Sequence, residues 1–249
     1  VEDGLIAVCY NGQVVKFGLD GNIIWENTEN SYSYSDVTTV ENGMIAIGSD
    51  SDRYNIGRVI KYDLEGNILW ENSEKAYLYN GITTVNNGVI VVGNDPNDDS
   101  SKVLKYDLDG NIVWEKSGKS LVYKDVTTVE DGVIVVGSSG AVIKYDLDGN
   151  IIWENNEKGT TASVATYYYY YGVATVADGV VAVSNKGRVV KYDSNGKIVW
   201  ENKDKSYIYQ DVLVVDDGLI AISYNGQVVK YGFDGNLIWE KTSKSYLYN

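Results

Sequence analysis

The sequence predicts an all-β fold, and three observations support this prediction. The six tryptophans of the 249-residue chain recur 39 to 47 residues apart, and each is followed by a glutamate. Every repeat also carries an Asn-Gly or Asp-Gly pair, the strongest short-range signal for a β-hairpin. No segment shows the apolar period of a helix. Four short strands in about 40 residues are typical of one propeller blade. We therefore predict a single domain over residues 1–249, a six-bladed β-propeller of four-stranded antiparallel blades. The tryptophans are Trp25, Trp70, Trp114, Trp153, Trp200 and Trp239.

Residues 121–155 illustrate the expected course of one blade. Apolar, β-branched runs alternate with short turns that contain glycine, which is the pattern of consecutive antiparallel hairpins. The four predicted strands are Val126–Val129, Val133–Gly137, Ala141–Asp146 and Asn150–Glu154.

The turn between the third and fourth strands has the same length in every repeat. The segment Asp146-Leu-Asp-Gly-Asn150 favours a type I turn closed by a bulge, with Gly149 in the left-handed conformation. In this register Lys144 lies opposite Ile152 and diagonally near Glu154. We expect the corresponding Lys–Glu pair in all six repeats.

The two ends of the sequence fit into one repeat. Val1 aligns with the end of a first strand, and Ser245–Asn249 align with the segment that leads into one. We therefore expect a ring closed between the N- and C-terminal segments, in which about four residues equivalent to Asp36–Thr39 are missing. In this interpretation we expect the chain to be part of a longer protein.

The recurring Asp-x-x-Gly-x-x-x-Trp segment, as in Asp146 to Trp153, resembles the tryptophan-docking repeat of the pyrroloquinoline-quinone-like β-propellers. The resemblance implies that each tryptophan stacks on a peptide of the neighbouring blade. The quinone-dependent dehydrogenases of that family have long insertions and a vicinal cysteine pair, whereas this chain has one cysteine. The resemblance therefore implies a cofactor-free member. The glycines that match the motif are Gly21, Gly66, Gly110, Gly149, Gly196 and Gly235.

Composition argues against most kinds of active site. The chain has no histidine and one cysteine, which excludes a Ser-His-Asp triad, a Cys-His dyad, an imidazole zinc site and an internal disulfide. A net charge of −14 disfavours nucleic acid, and no apolar run is long enough to insert into a membrane. We expect a protein that is not an enzyme, uses no cofactor and is extracellular or on the cell surface.

Variation between the repeats is confined to one end of the predicted blades. Two repeats have long loops between their second and third strands, at Ser49–Gly57 and Asn94–Lys102, and a third has an insertion between Trp153 and Asp178. Tyrosines cluster where the chain leads into each first strand, at the same end. Tyrosine suits recognition surfaces because its large ring loses little entropy on binding. The candidate binding residues are Tyr32, Tyr34, Tyr77, Tyr79, Tyr123, Tyr167, Tyr168, Tyr169, Tyr170, Tyr171, Tyr207, Tyr209, Tyr246, Tyr248, Asp50, Asp52, Arg53 and Tyr54.

The predicted function is that of a non-catalytic scaffold whose tyrosine-rich, loop-varied end binds a protein or a glycan. Packing of the tyrosines between blades is the structural alternative. A spacer domain of a larger surface protein is the second functional hypothesis, and a carboxylate-dependent or quinone-dependent enzyme is the third. Asp95, Asn97 and Asp99 form a weak candidate site for a hard cation, with a solvated acidic loop as the alternative.

Overall fold

The computed structural model describes residues 4–28, 32–50, 56–73, 75, 77–98, 100–118, 122–156, 158–161, 164–203 and 205–242. The predicted fold class is confirmed: the protein is an all-β propeller with six blades of antiparallel strands. The chain forms two compact units, Val1–Tyr123 and Lys124–Asn249. The single domain over residues 1–249 stays a prediction, and Ser245–Asn249, to which ring closure was assigned, lie outside the described residues.

The first unit contains three sheets, each a meander in which consecutive strands pair. The first sheet has three described strands and the other two have four. The strands of the first sheet are β1 (Gly4–Val8), β2 (Gln13–Gly18) and β3 (Ile23–Thr28). Those of the second are β4 (Tyr32–Val40), β5 (Gly43–Asp50), β6 (Gly57–Tyr62) and β7 (Ile68–Asn72). Those of the third are β8 (Leu78–Val85), β9 (Gly88–Asp95), β10 (Ser100–Tyr106) and β11 (Ile112–Gly118).

The second unit has three four-stranded sheets and one additional hairpin. Its first sheet contains β12 (Tyr123–Val129), β13 (Gly132–Gly137), β14 (Ala141–Tyr145) and β15 (Ile151–Asn156), with a 3-10 turn at Ser138–Gly140. The hairpin of β16 (Lys158–Thr161) and β17 (Val164–Tyr167) lies in the insertion after Trp153. Next come β18 (Tyr170–Val176), β19 (Gly179–Ser184), β20 (Val189–Tyr192) and β21 (Ile198–Asn202). The last sheet contains β22 (Tyr209–Val215), β23 (Gly218–Ser223), β24 (Gln227–Tyr231) and β25 (Leu237–Thr242).

The apolar core of each unit lies between neighbouring sheets. The second strand of a sheet is a continuous apolar run because both of its faces are covered, as in β9, where Val89–Val92 are fully buried. In the first unit, Ile45 and Ile47 pack in one cluster with Val91 and Leu104 of the next sheet. Burying each such side chain contributes about 1.5–3 kcal/mol, so contact between sheets is the main stabilising interaction.

Tryptophan docking, which the resemblance implied, is present between sheets of the same unit. The indole Nε1 of Trp70 donates a hydrogen bond of 2.9 Å to the carbonyl oxygen of Leu108 in the next sheet. The ring covers Gly110, where a Cβ atom would lie 2.9 Å from the indole Cδ2. The Asn72 side chain adds a hydrogen bond of 3.1 Å to the Gly110 carbonyl. The same indole-to-carbonyl bond joins Trp25 to Leu64, Trp153 to Ser194 and Trp200 to Phe233, each at 2.9 Å.

The turn between the third and fourth strands has the predicted form, but the pairing that we predicted for the lysine of the third strand is wrong. Gly149 is left-handed, with a φ of 79°, and its N–H donates to the Asp146 carbonyl over 3.1 Å. The bulge places Lys144 opposite Trp153 instead of Ile152. Glu154 therefore points to the other face of the sheet.

The lysine of the third strand instead pairs with the aspartate of the first hairpin turn. Lys144 Nζ lies 2.6 Å from Asp131 Oδ1. Equivalent ion pairs join Lys191 to Asp178 at 2.6 Å and Lys230 to Asp217 at 2.5 Å. In the three four-stranded sheets of the second unit, the expected Lys–Glu ladder is thus replaced by a Lys–Asp contact at the hairpin-turn end.

Candidate partner-binding face

The candidate tyrosines nearest the core are buried, and four of them are hydrogen-bonded to a tyrosine that was not a candidate. The second tyrosine of each Tyr-x-Tyr pair places its hydroxyl beside that of a tyrosine on the third strand of its own sheet. These rings, and that of the buried Tyr123, fill the interior, as the packing alternative expected. The hydroxyl pairs are Tyr34–Tyr62 at 2.5 Å, Tyr79–Tyr106 at 2.8 Å, Tyr170–Tyr192 at 3.0 Å and Tyr209–Tyr231 at 2.7 Å.

The first tyrosine of each pair is held by the glutamate that follows a tryptophan. The Tyr77 hydroxyl donates to Glu115 over 2.6 Å, and Lys75 Nζ lies 3.0 Å from the same carboxylate. Burial acts to raise the pKa of Glu115, but the bonds from Tyr77 and Lys75 outweigh it, so this pKa is lowered. The equivalent contacts are Tyr32–Glu71 at 2.8 Å and Tyr207–Glu240. The sequence shows a glutamate after every tryptophan, but it does not show that these glutamates accept hydrogen bonds from tyrosine hydroxyls.

Within each of these pairs, the two rings meet edge to face. The ring centroids of Tyr32 and Tyr34 are 5.9 Å apart at an interplanar angle of 77°, and those of Tyr77 and Tyr79 are 6.3 Å apart at 84°. This geometry is favourable for aromatic rings and holds the first ring of each pair against the buried second ring. The loops that lead into the first strands therefore have rigid side-chain supports.

The fifth repeat departs from this arrangement at its run of tyrosines. Tyr170 takes the buried position, but the Tyr168 ring is tilted by only 30° from the Tyr170 ring. The guanidinium of Arg188 lies 4.5 Å from the Tyr168 ring centroid, and its Nε contacts Glu201. Arg188 thus makes the contact with the post-tryptophan glutamate that a tyrosine makes in the second, third and sixth repeats.

Among the described side chains of this run, Tyr169 is the exposed one, with 44% of its surface accessible. Its N–H donates to the Asn185 side chain over 3.2 Å, and its carbonyl accepts from the Asn185 N–H over 3.0 Å. An aromatic ring is therefore presented to solvent on a fixed backbone. Tyr171 is half-buried, and the side chain of Tyr167 lies outside the described residues.

Two exposed tyrosines were not among the predicted candidates. Tyr10 lies in the turn between β1 and β2, and Tyr224 lies in the equivalent turn between β23 and β24; they are 74% and 38% exposed. Both turns read Tyr-Asn-Gly-Gln, in the first and sixth repeats. Their position at a tight turn was the sequence feature that could have predicted their exposure, because a side chain at the tip of such a turn has little core to pack against.

A cleft of about 300 Å³ lies beside Tyr10 in the first unit. Its wall combines tyrosine rings with the polar side chains of Ser33, Ser35, Ser49 and Asn80. Asp50, another candidate, is bound to Arg58 at 3.0 Å. The candidates Asp52, Arg53, Tyr54, Tyr246 and Tyr248 lie outside the described residues.

Two of the three residues of the weak candidate cation site, Asp95 and Asn97, are hydrogen-bonded to each other. Asn97 donates from its N–H and its side-chain amide to Asp95 Oδ1, at 2.9 and 3.0 Å, which is a self-contained turn. Asp99 lies outside the described residues. Across the part of the chain that the structure describes, no group of three His, Cys, Asp or Glu residues is placed to hold a metal ion.

A larger cleft of about 880 Å³ lies at the hairpin-turn end of the second unit. Its acidic side chains include Asp131 and Asp178, which pair with lysines. The hydrogen bond from Lys144 lowers the pKa of Asp131, and that from Lys191 lowers the pKa of Asp178. A general acid needs a raised pKa, so these two carboxylates are unsuited to protonating a leaving group at neutral pH.

Comparison with known proteins identifies the family. The sequence model described as outer membrane protein assembly factor BamB matches residues 55–168 and 170–247. The chain belongs to this family. This confirms the resemblance to pyrroloquinoline-quinone-like propellers that the tryptophan motif indicated.

A comparison with curated protein sequences finds no significant match. In the described residues, no helix is both long and apolar enough to span a bilayer.

Solved structures show the same fold at low sequence identity. BamB from Moraxella catarrhalis is 18% identical, with a TM-score of 0.64 over 98% of this chain and 86% of that one. Sqt1 from Saccharomyces cerevisiae is 12% identical, with a TM-score of 0.72 over 96% of this chain and 71% of that one. The computationally designed protein Ika8 is 13% identical, with a TM-score of 0.71 over the same shares. At these identities the likeness concerns the fold alone.

Proposed function

We propose that this family member is a non-catalytic scaffold that binds a protein partner through its tyrosine end. We define the tyrosine end as the loops that lead into the first strands together with the turns between second and third strands. The observation that carries the proposal is Tyr169, an exposed ring on a backbone fixed by Asn185. Exposed aromatic rings on a rigid support are the common anchors of protein interfaces.

The family supports a protein partner over a glycan. Its description names an assembly factor for outer membrane proteins, so we propose that this chain also acts in a cell envelope and contacts other proteins there. The buried tyrosine pairs serve this function indirectly, because they hold the loops that carry the exposed rings. The enzyme hypothesis has less support, since Asp131 and Asp178 are committed to ion pairs.

The test is a capture experiment with variants of the second unit. The immobilised chain is incubated with an envelope extract of the source organism, and retained proteins are quantified by mass spectrometry. We expect specific proteins that are lost when Tyr169→Ser and Tyr224→Ser are combined. Phe233→Ser is the matched control, because Phe233 is 42% exposed but lies in a turn at the other end of its sheet.

Three outcomes would contradict the proposal. Equal retention by the tyrosine variant and the wild type would show that the tyrosine end is not the interface. Retention of no protein at all would favour the spacer hypothesis. Binding to a glycan array that is lost with the two tyrosines, without any captured protein, would assign this surface to carbohydrate.

A further inference from the structure

The cleft of about 880 Å³ at the hairpin-turn end of the second unit has the size and lining of a ligand site. Every residue that lines it lies within the described ranges. Part of its wall is apolar, where Ile134, Val176 and Val180 are buried. The buried amine of Lys144 and four carboxylates complete the charged part of the lining. The carboxylates are those of Glu130, Asp131, Asp178 and Asp193.

The cleft lies where the fifth repeat has a small side chain in the turn between its third and fourth strands. At the equivalent place in the first unit, Leu108 packs on the core cluster together with Val40 and Trp70. Ser194 takes the position of Leu108, and each of their carbonyls accepts an indole N–H. A serine side chain cannot fill the space of a leucine side chain, so this contact between sheets stays open. The other five repeats carry Leu19, Leu64, Leu108, Leu147 and Phe233 at this position.

The same turn leaves one oxygen of Asp193 without a hydrogen-bond donor among the described residues. In the fourth repeat, Oδ2 of the equivalent Asp146 accepts from the Asn150 side chain at 2.9 Å. Lys197 replaces this asparagine in the fifth repeat, so only Oδ1 of Asp193 accepts, from two backbone N–H groups at 2.9 Å each. Asp193 therefore brings a carboxylate with a spare acceptor to the cleft.

The lining stays anionic after its own ion pairs are taken into account. Asp131 and Asp178 are each paired with a lysine at 2.6 Å. Glu130 is exposed and forms no hydrogen bond or ion pair with any residue that the structure describes. Within the described ranges, no ion pair involves Asp193 either. A bound cation would therefore be attracted by two carboxylates that are not neutralised by a lysine of the cleft.

We propose that this cleft binds an arginine side chain on a peptide segment of a partner protein. The guanidinium bonds to Glu130 and Asp193, because its five donors can serve two carboxylates at once. The methylene groups of the arginine pack on the apolar part of the wall. The net charge of −14 attracts a basic segment toward the protein. The cleft and the tyrosine end lie at opposite ends of the sheets, so this inference goes beyond the proposed function.

The test measures the binding of fluorescein-labelled peptides by fluorescence anisotropy. One peptide carries two arginines in an alanine-glycine sequence, and the other carries citrulline at both positions, which keeps the shape and removes the charge. We expect the arginine peptide to bind at least about tenfold more tightly. Ser194→Leu introduces the side chain of four other repeats, so it should fill the cleft and weaken binding about tenfold without lowering the melting temperature.

Charge variants test the same site without changing its volume. Glu130→Gln combined with Asp193→Asn should weaken binding of the arginine peptide about tenfold. The matched control is Asp146→Asn combined with Asp216→Asn, which removes the same charge from the equivalent turn positions of two other repeats. Neither control residue lines the cleft. The control should bind like the wild type.

Wild-type affinity in Ser194→Leu would overturn the inference, because the cleft would then not be the binding site. Equal weakening by the two charge variants, or equal binding of the citrulline peptide, would also overturn it. Displacement of the labelled peptide by less spermidine than unlabelled arginine peptide would assign the cleft to a free polyamine and overturn the peptide partner. Tyr169→Ser combined with Tyr224→Ser should bind the peptide like the wild type, and a loss of binding there would move the peptide to the tyrosine end.

Discussion

At the scale of single residues, the contact between an indole ring and a turn glycine is the feature most sensitive to substitution. Gly110 has a φ of 87°, and a Cβ atom there would lie 2.9 Å from Cδ2 and Cε3 of Trp70. We expect Gly110→Ala to lower the free energy of unfolding by about 2–3 kcal/mol, because backbone strain and displacement of the ring act together. Urea unfolding followed by circular dichroism measures this change.

The control is the same substitution in a Trp70→Leu background. Only the backbone strain should then remain, about 1 kcal/mol, because the ring that the new methyl group displaces is gone. If Gly110→Ala lowers the free energy of unfolding by the full amount in that background as well, contact with the tryptophan ring is not what requires a glycine at this position.

The roles of individual tyrosines were only partly predictable from the sequence. Sequence spacing placed Tyr77 and Tyr79 correctly beside the first strand of their sheet. It did not show that Tyr79 pairs with Tyr106 while Tyr77 bonds to Glu115, because these contacts depend on which face each side chain occupies in three dimensions. Exposure decides between packing and recognition, and exposure is a property of the assembled sheets.

At the scale of the element, the turn between the third and fourth strands depends on its first aspartate. Asp146 Oδ1 accepts hydrogen bonds from the N–H groups of Asp148 and Asn150, at 2.9 and 2.8 Å, and Oδ2 accepts from the Asn150 side chain at 2.9 Å. We expect Asp146→Ala to destabilise the protein by about 1–2 kcal/mol. Asp148→Ala should cost less than about 0.5 kcal/mol, since Asp148 is exposed in the same turn.

The effect of Asp146→Ala should also depend on pH. The hydrogen bond from Asn150 is the main cause that lowers the pKa of Asp146 below its usual 3.8. A carboxylate with a lowered pKa in the folded state stabilises the protein above about pH 4, and this contribution is lost as the pH falls through the folded-state pKa. Urea unfolding at a series of pH values should show the wild type and variant converging in acid. A constant difference down to about pH 2 would contradict this account.

The strand pattern of a repeat is read well from sequence, and so is the pairing next to the turn, Tyr145 with Ile151, whereas the pairing beyond the bulge is not. The glycine in Asp146–Asn150 predicts both the left-handed residue and the bulge. The bulge shifts the pairing of the two strands by one residue, and this shift exists only once the strands are paired. With the shifted pairing, Lys144 forms its ion pair with Asp131. The insertion after Trp153 was located by its length alone, since the strands β16 and β17 have no counterpart in the other repeats from which to predict them.

At the scale of the whole molecule, both units bury tyrosine hydroxyls that must stay protonated in the folded state. Burial is the largest cause that raises the pKa of Tyr79 in the first unit and of Tyr209 in the second, and the neighbouring tyrosine adds to it. The phenols ionise near pH 10 once the chain unfolds. Their contribution to stability is therefore complete below about pH 10 and is lost as the pH rises toward the folded-state pKa.

We expect the free energy of unfolding to fall between about pH 9 and pH 11, by about 1.4 kcal/mol per pH unit for each buried tyrosine above pH 10. Urea unfolding followed by tryptophan fluorescence measures this slope. Tyr79→Phe should reduce the slope by the contribution of one titrating group. Tyr169→Phe is the control and should leave the slope unchanged, because the Tyr169 side chain is exposed to solvent and not buried. If the two variants share the wild-type slope, the alkaline loss arises from the growing negative charge of the chain and not from its buried tyrosines.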